Sequence, residues 1–205
     1  MRALQGLKEA WRSLPAGASA FLKRATLLFV AWKLLYAAVL LPTGEPDRLL
    51  VRVLGESTAR TLNLFKGEGH YRVRHVEKPS ALEAVGPESW AYVYRPGQRA
   101  DIGIATPCNG LELMVLAVGF ILCFEGGGWR RKTLYVAASV VGVFAVNVVR
   151  CSLLTVVKTD HPVWFEFAHK YLFNLAGYGF VFLIWMRYVR GLFGRVPESG
   201  RVVAV

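Results

Sequence analysis

The stretch "TLYVAASVVGVFAVNVVRCSLLTVV" (133–157) carries a single charged side chain, Arg150. An apolar run of that length constrains the chain more than any other feature. A bilayer core of about 30 Å is crossed by roughly 20 helical residues, and only a helix satisfies its own backbone there. Three further runs repeat the pattern: "ATLLFVAWKLLYAAVLL" (25–41), "GLELMVLAVGFILCF" (110–124) and "FAHKYLFNLAGYGFVFLIWMRYV" (167–189). Their flanks extend the second to 108–124. Hydrophobic residues make up 54% of the chain and charged ones 19%, below the roughly one quarter usual for soluble domains. The expected fold is an all-α integral membrane protein of about four transmembrane helices, 25–41, 108–124, 133–157 and 167–189. Amphipathic interfacial helices and a small extracytoplasmic loop or hairpin region complete it.

The remaining segments orient the spans. In 1–24, Leu4, Leu7, Trp11 and Leu14 recur at helical spacing among Arg2, Lys8, Arg12, Lys23 and Arg24, as in a leader lying on a membrane surface. Its length, Lys33 and the lack of a small-residue cleavage site mark 25–41 as a retained span rather than a signal peptide. Between 42 and 107 the charges nearly balance. Arg48, Arg52, Glu56 and Arg60 recur every fourth residue opposite Leu49, Leu50, Val53, Leu54, Thr61 and Leu62, which predicts an interfacial helix over 48–65. "HYRVRHV" (70–76) alternates with period two and "WAYVYR" (90–95) is rich in strand formers, together a hairpin-like element. Basic residues gather in 1–24, in "EGGGWRRK" (125–132) and in the tail 190–205. Both termini are therefore expected in the cytoplasm, with 42–107 and 158–166 outside.

The net charge of +11 is spread along the flanks of apolar runs rather than gathered in an aromatic-basic patch, so nucleic-acid binding is not expected. Cys108, Cys123 and Cys151 make an odd set without a CxxC pair. Neither a disulfide framework nor a metal site follows, and no cofactor is expected.

With that topology Cys108 stands at the outer end of the second span and His169 near the outer start of the fourth. Arg150 lies about seven residues, roughly 10 Å, in from the outer end of the third. Cys108 follows Pro107 where a helix N-terminus would favour a thiolate. An arginine inside a span costs about 2.5 kcal/mol or more and needs a partner or a task. Asn147, three residues earlier, shares its face. Glu112 would oppose thiolate formation at Cys108, so it is expected to pair with Arg150 or a substrate group. Lys33 reads as a structural, snorkelling or paired lysine, and Cys123 as a packing residue. Cys151, beside Arg150, fits either role. His70, His75 and His161 read as surface histidines. A thiol, an imidazole and a guanidinium at one membrane face suit acyl transfer: thiolate attack, proton transfer to the leaving amine, and charge stabilisation.

The segments "PCNGLELM" (107–114), "NVVRCSLLTV" (147–156) and "FAHKYLFNLAGYGFVF" (167–182) resemble, in order and on successive helices, the motifs of the exosortase/archaeosortase membrane proteins. "FLKRATLLFVAWKLLYAAVLLP" (21–42) resembles the first span of compact members. The resemblance implies a cysteine transpeptidase or protease acting at the outer face of the cytoplasmic membrane. Its substrates would be secreted proteins ending in a motif, a transmembrane helix and a basic tail, cleaved through a Cys thioester. The acceptor would be an envelope lipid or polysaccharide. It also implies Cys108 as nucleophile, Arg150 as the family arginine and His169 as general acid/base, with Asn147, Glu112, Asn109 and Gly110 supporting them or binding substrate. Two other readings stay open at this point. One is a non-enzymatic scaffold or assembly protein held together by polar side chains. The other is a membrane thiol oxidoreductase using Cys108 and Cys151.

Overall fold

A computed structural model describes residues 16–78, 88–98 and 100–193. Most of the leader and of the tail therefore lies outside the described residues. The chain is mainly helical. Helix α1 (Ala16–Leu35) continues through a π-helical turn, Tyr36–Leu40, and a short helical turn, Leu41–Thr43. Helix α2 is Glu45–Lys66, followed by strands β1 (Arg72–Lys78), β2 (Glu88–Tyr94) and β3 (Ala100–Ala105). A 3-10 turn, Thr106–Cys108, leads into α3 (Leu111–Cys123), and α4 runs over Trp129–Asp160. The last helix, α5 (Phe173–Phe193), is entered through a 3-10 turn Pro162–Trp164, a helical turn Phe165–Phe167 and a π-helical turn Ala168–Leu172.

Among the described residues, three helical stretches are long and apolar enough to cross a membrane: Gly17–Thr43, Trp129–Asp160 and Pro162–Gly191. Apolar α3 is shorter, 13 residues or about 20 Å, because the chain cannot be helical at Gly110 (φ 85°). The expected second span, 108–124, thus loses its first turn, and Cys108 sits ahead of the helix rather than on it. The first helix passes through Pro42, which the sequence pattern places at its end. Proline lacks an N–H and crowds the carbonyl four residues back, and the widened π turn just before it absorbs both effects.

The helix expected over 48–65 is α2, and the stripe it buries in the protein overlaps the predicted apolar side only in part. Val51, Leu54, Ala59 and Leu62 are buried against the sheet and α4, while Leu49 and Val53 are exposed. The sheet covers the stripe and so decides which face is buried. In place of a two-stranded hairpin, three antiparallel strands pair in the order β1-β2-β3, with Val76 opposite Trp90 and Tyr92 opposite Gly103. The third strand, "ADIGIA", is too short and too glycine-rich to show strand periodicity by itself. Ala91, Val93, Ile102 and Ile104 face α2 and α4, where Cys151, Leu154 and Ala168 complete one core. Arg95 clamps the β2–β3 turn, its guanidinium donating to both carboxylate oxygens of Asp101 at 2.8 and 3.2 Å.

A second core, Met114, Ala117, Val143 and Val181, joins α3, α4 and α5. At its far end the basic connector binds its neighbours. Arg131 donates to the carbonyls of Tyr188 (2.9 Å) and Gly191 (2.6 Å), Lys132 donates to that of Phe124 (3.0 Å), and Arg24 pairs with Glu125 at 2.7 Å. The Arg131 and Lys132 contacts tie the start of α4 to the ends of α3 and α5.

Helix α2 meets β2 at Gly55, where an added Cβ would lie 2.6 Å from Ala91 Cβ. Alanine has the better helix propensity by about 1 kcal/mol. Overpacking a tight core typically costs about 1–3 kcal/mol, and a backbone-fixed methyl cannot move aside. Gly55→Ala should therefore lower the thermal midpoint of the detergent-solubilised protein; an unchanged or raised midpoint would contradict this packing.

Candidate functional site

The turn "TPCNGLE" is held from three directions. Pro107 restricts the chain as it leaves β3, and the Asn109 N–H closes the 3-10 turn on the Thr106 carbonyl at 3.2 Å. Gly110 then takes a left-handed conformation, and the Met114 N–H donates to its carbonyl at 3.0 Å, the first bond of α3. Asn109 bridges the break: its Oδ1 accepts from the Leu111 N–H at 2.9 Å, and its Nδ2 donates to Asp47 Oδ1. From α4, Asn147 Nδ2 donates to the Cys108 backbone carbonyl at 3.0 Å. A Cβ on Gly110 would come within 2.7 Å of that Nδ2, so glycine is required here both for backbone angle and for space.

Asn147 and Arg150 share one turn of α4. The guanidinium makes a long 3.5 Å contact from Nη1 to Asn147 Oδ1, while its buried Nε has no protein hydrogen-bond partner. Arg150, Asn147, Asp47, Asn109, Gly110 and Glu112 line a cavity of about 320 Å³, closed on other sides by Tyr36, Phe173 and Tyr178. A guanidinium that lines a cavity can donate to an anionic or carbonyl oxygen there.

Cys108 is half-buried and packs against the outer core that contains Cys151, Leu154 and Ala168. His169, on the π-helical turn beside Ala168, is half-buried and stacks on Phe165 with ring centroids 5.7 Å apart and planes 2° apart. Arg150 is within electrostatic range of both His169 and Cys151, and Cys108 of Cys151. Cys108, Asn109, Gly110, Asn147 and Arg150 therefore form one connected group, with His169 near the arginine. Neither Cys108 nor His169 lines the cavity; Pro107 and Asn109, on either side of the thiol, do. All three cysteines are free thiols. Among the described residues, no group of three or more His, Cys, Asp or Glu side chains is placed to hold a metal ion.

One expectation is corrected. Glu112 does not pair with Arg150: its Oε1 accepts from Lys33 Nζ at 2.7 Å. The first turn of α3 points the carboxylate toward α1, and a lysine within an apolar span needs that counter-charge. Two site residues escaped the sequence reading. Asp47 is 5% exposed, and its Oδ2 accepts from the Tyr36 hydroxyl at 2.8 Å while its Oδ1 accepts from Asn109. In sequence, "GEPDR" looks like an ordinary acidic helix start. The available signal was an aspartate next to the outer end of a span that itself contains a tyrosine.

Residues 90–188, just under half of the chain, match a family model described as transmembrane exosortase, Exosortase_EpsH. The matched segment runs from β2 to near the end of α5 and includes Cys108, Asn147, Arg150 and His169. No curated protein and no solved structure matches the chain.

Gly110→Ala should cost about 1–3 kcal/mol through backbone strain and displace Asn147 from the Cys108 carbonyl. In thermal unfolding, Asn147→Ala in the same background should relieve the steric part of the loss while leaving the part due to φ. A Gly110→Ala protein as stable as the parent would exclude the arrangement.

Proposed function

We propose, from the match of residues 90–188 to the transmembrane exosortase model, that this membrane protein is a cysteine transpeptidase or protease that cleaves C-terminal sorting signals. The carrying observation is the hydrogen bond from Asn147 to the Cys108 carbonyl, which brings the thiol-bearing turn beside Arg150 at the mouth of an apolar helix bundle.

In this reading the Cys108 thiolate attacks the scissile carbonyl carbon, forming a C–S bond. Arg150 supplies charge to the thiolate and then to the developing oxyanion. The C–N bond breaks as His169 delivers a proton to the departing amine, leaving a thioester on Cys108. An amine, a hydroxyl or water attacks that thioester, giving its proton to His169 as the C–S bond breaks and restoring the thiolate. Asn147 fixes the turn, and Gly110 lets it approach. Substrate enters the cavity, and its carbonyl must reach the thiol from there, because Cys108 is not in the cavity wall.

The substrate class is a secreted protein with a motif, a transmembrane helix and a basic tail. The acceptor is an envelope lipid or polysaccharide. Both termini lie in the cytoplasm of a multi-pass inner-membrane protein, with Cys108 facing outward. Arg131 and Lys132, at the end of the bundle opposite the Cys108 turn, support that orientation.

The proximity of Cys151 to Cys108 favours a second reading, thiol exchange between the two. Loss of the tail from a membrane-tailed secreted protein of the same cell separates the two. Cys108→Ser should abolish processing and Cys151→Ser should leave most of it. Equal loss in both points to thiol exchange, and full processing in Cys108→Ser refutes the transpeptidase. Orientation is tested separately: a membrane-impermeant thiol reagent added from outside should label Cys108 and not Cys123. Labelling of Cys108 only from the cytoplasmic side would reverse the topology.

A further inference from the structure

We infer that Asp47 is a positioning residue for the Cys108 turn, acting through Asn109 and braced by Tyr36. The assignment rests on the reading of Cys108 as the nucleophile and extends it to residues outside the segment that matches the family model.

Asp47 stands in the first turn of α2, where the helix N-terminus favours a carboxylate. Its side chain is turned inward rather than to solvent, and among the described residues it has no ion-pair partner. A buried carboxylate without a cation is costly unless its oxygens are hydrogen-bonded. Here one oxygen accepts from the Tyr36 hydroxyl and the other from Asn109 Nδ2. Asn109 cannot turn its amide over without placing its Nδ2 against the Leu111 N–H. The carboxylate therefore specifies one orientation of Asn109, and Asn109 is the residue bonded to both sides of the Cys108–Gly110 break.

The connection is also tertiary. Tyr36 lies in the π-helical turn of the first span, Asp47 at the start of α2, and Asn109 next to the thiol. The apolar window of the first span buries none of its residues in the protein. Polar links therefore matter in fixing it to the site: Tyr36 to Asp47, and Lys33 to Glu112. Asn147 holds the carbonyl of Cys108 from α4, while Asp47 holds the next residue from the opposite wall of the cavity. With both anchors the turn has one position relative to Arg150; with one it can swing.

The test uses the full chain in membranes, with two readouts: processing kinetics on the Cys108-dependent secreted protein described above, and the iodoacetamide alkylation rate of Cys108 followed by peptide mass spectrometry. Asp47→Ala should lower kcat by roughly tenfold or more with KM changed by less than about threefold, the pattern of an interaction needed at the transition state. Its Cys108 alkylation rate should shift by more than about threefold in either direction, reporting a moved thiol. Asp47→Asn keeps one acceptor and should fall between Asp47→Ala and the parent, and Tyr36→Phe should have the smaller effect of a lost brace. A folded Asp47→Ala protein with unchanged kcat and unchanged alkylation overturns the assignment, as does a loss of activity that only tracks the loss of folded protein. If Asp47→Ala does not fold, Asp47→Asn and Tyr36→Phe decide by the same readouts. The alkylation readout needs no substrate. Cys108→Ser that still processes would refute the nucleophile, while unchanged alkylation in the Asp47 variants would refute the positioning role.

Discussion

A bilayer cannot hydrate polar groups, and that constraint governs where this chain places them. Lys33 meets Glu112 at 2.7 Å, Asn147 meets the Cys108 carbonyl at 3.0 Å, and Asp47 takes up hydrogen bonds from Tyr36 and Asn109. Each bond joins different elements, so the polar residues of the apolar helices also act as cross-links between them. Where α3 begins, three of these links converge on one five-residue turn. Arg150 makes a long 3.5 Å contact to Asn147 and lines the cavity beside this turn.

The layer of α2 and the sheet supplies what short α3 cannot. A 13-residue helix is too short to set the depth and direction of its own N-terminus in the membrane. The three-stranded sheet delivers the chain to Thr106, α2 closes over the inner face of that sheet, and α4 runs on past Arg150 to join the same core through Leu154. The Cys108 turn is thus clamped between a soluble-type core above and the bundle core below. At the other end, Arg131 and Lys132 donate to carbonyls of α5 and of the residue that follows α3, so the basic connector also holds the bundle together.

Much of this was legible in the residues because apolar periodicity and charge are local properties. The long runs at 25–41, 133–157 and 167–189 each fall within a helix able to cross a membrane. Exosortase-type motifs also stand out by residue type and order, and the match over 90–188 agrees with them. The second span was overextended because hydrophobicity does not report the left-handed backbone at Gly110. Which face of α2 is buried in the protein was not legible, because its pattern fits two stripes and only the covering sheet selects one. Glu112 was paired with the wrong cation because Lys33 and Arg150 are both distant in sequence, and nothing local distinguishes them.

By itself, then, the sequence determined a basic, mainly helical membrane protein with exosortase-type motifs, since these follow from composition, run length and residue order. Tertiary structure decided which polar groups meet. It set Asn147 on the Cys108 carbonyl, turned Glu112 to Lys33, and drew Asp47 and Tyr36 into the site, neither of which the residue pattern singled out. The physical reason is range. Hydrophobic burial acts on whole faces and can be read from spacing, whereas a hydrogen bond forms only within about 3 Å and depends on how the helices finally pack.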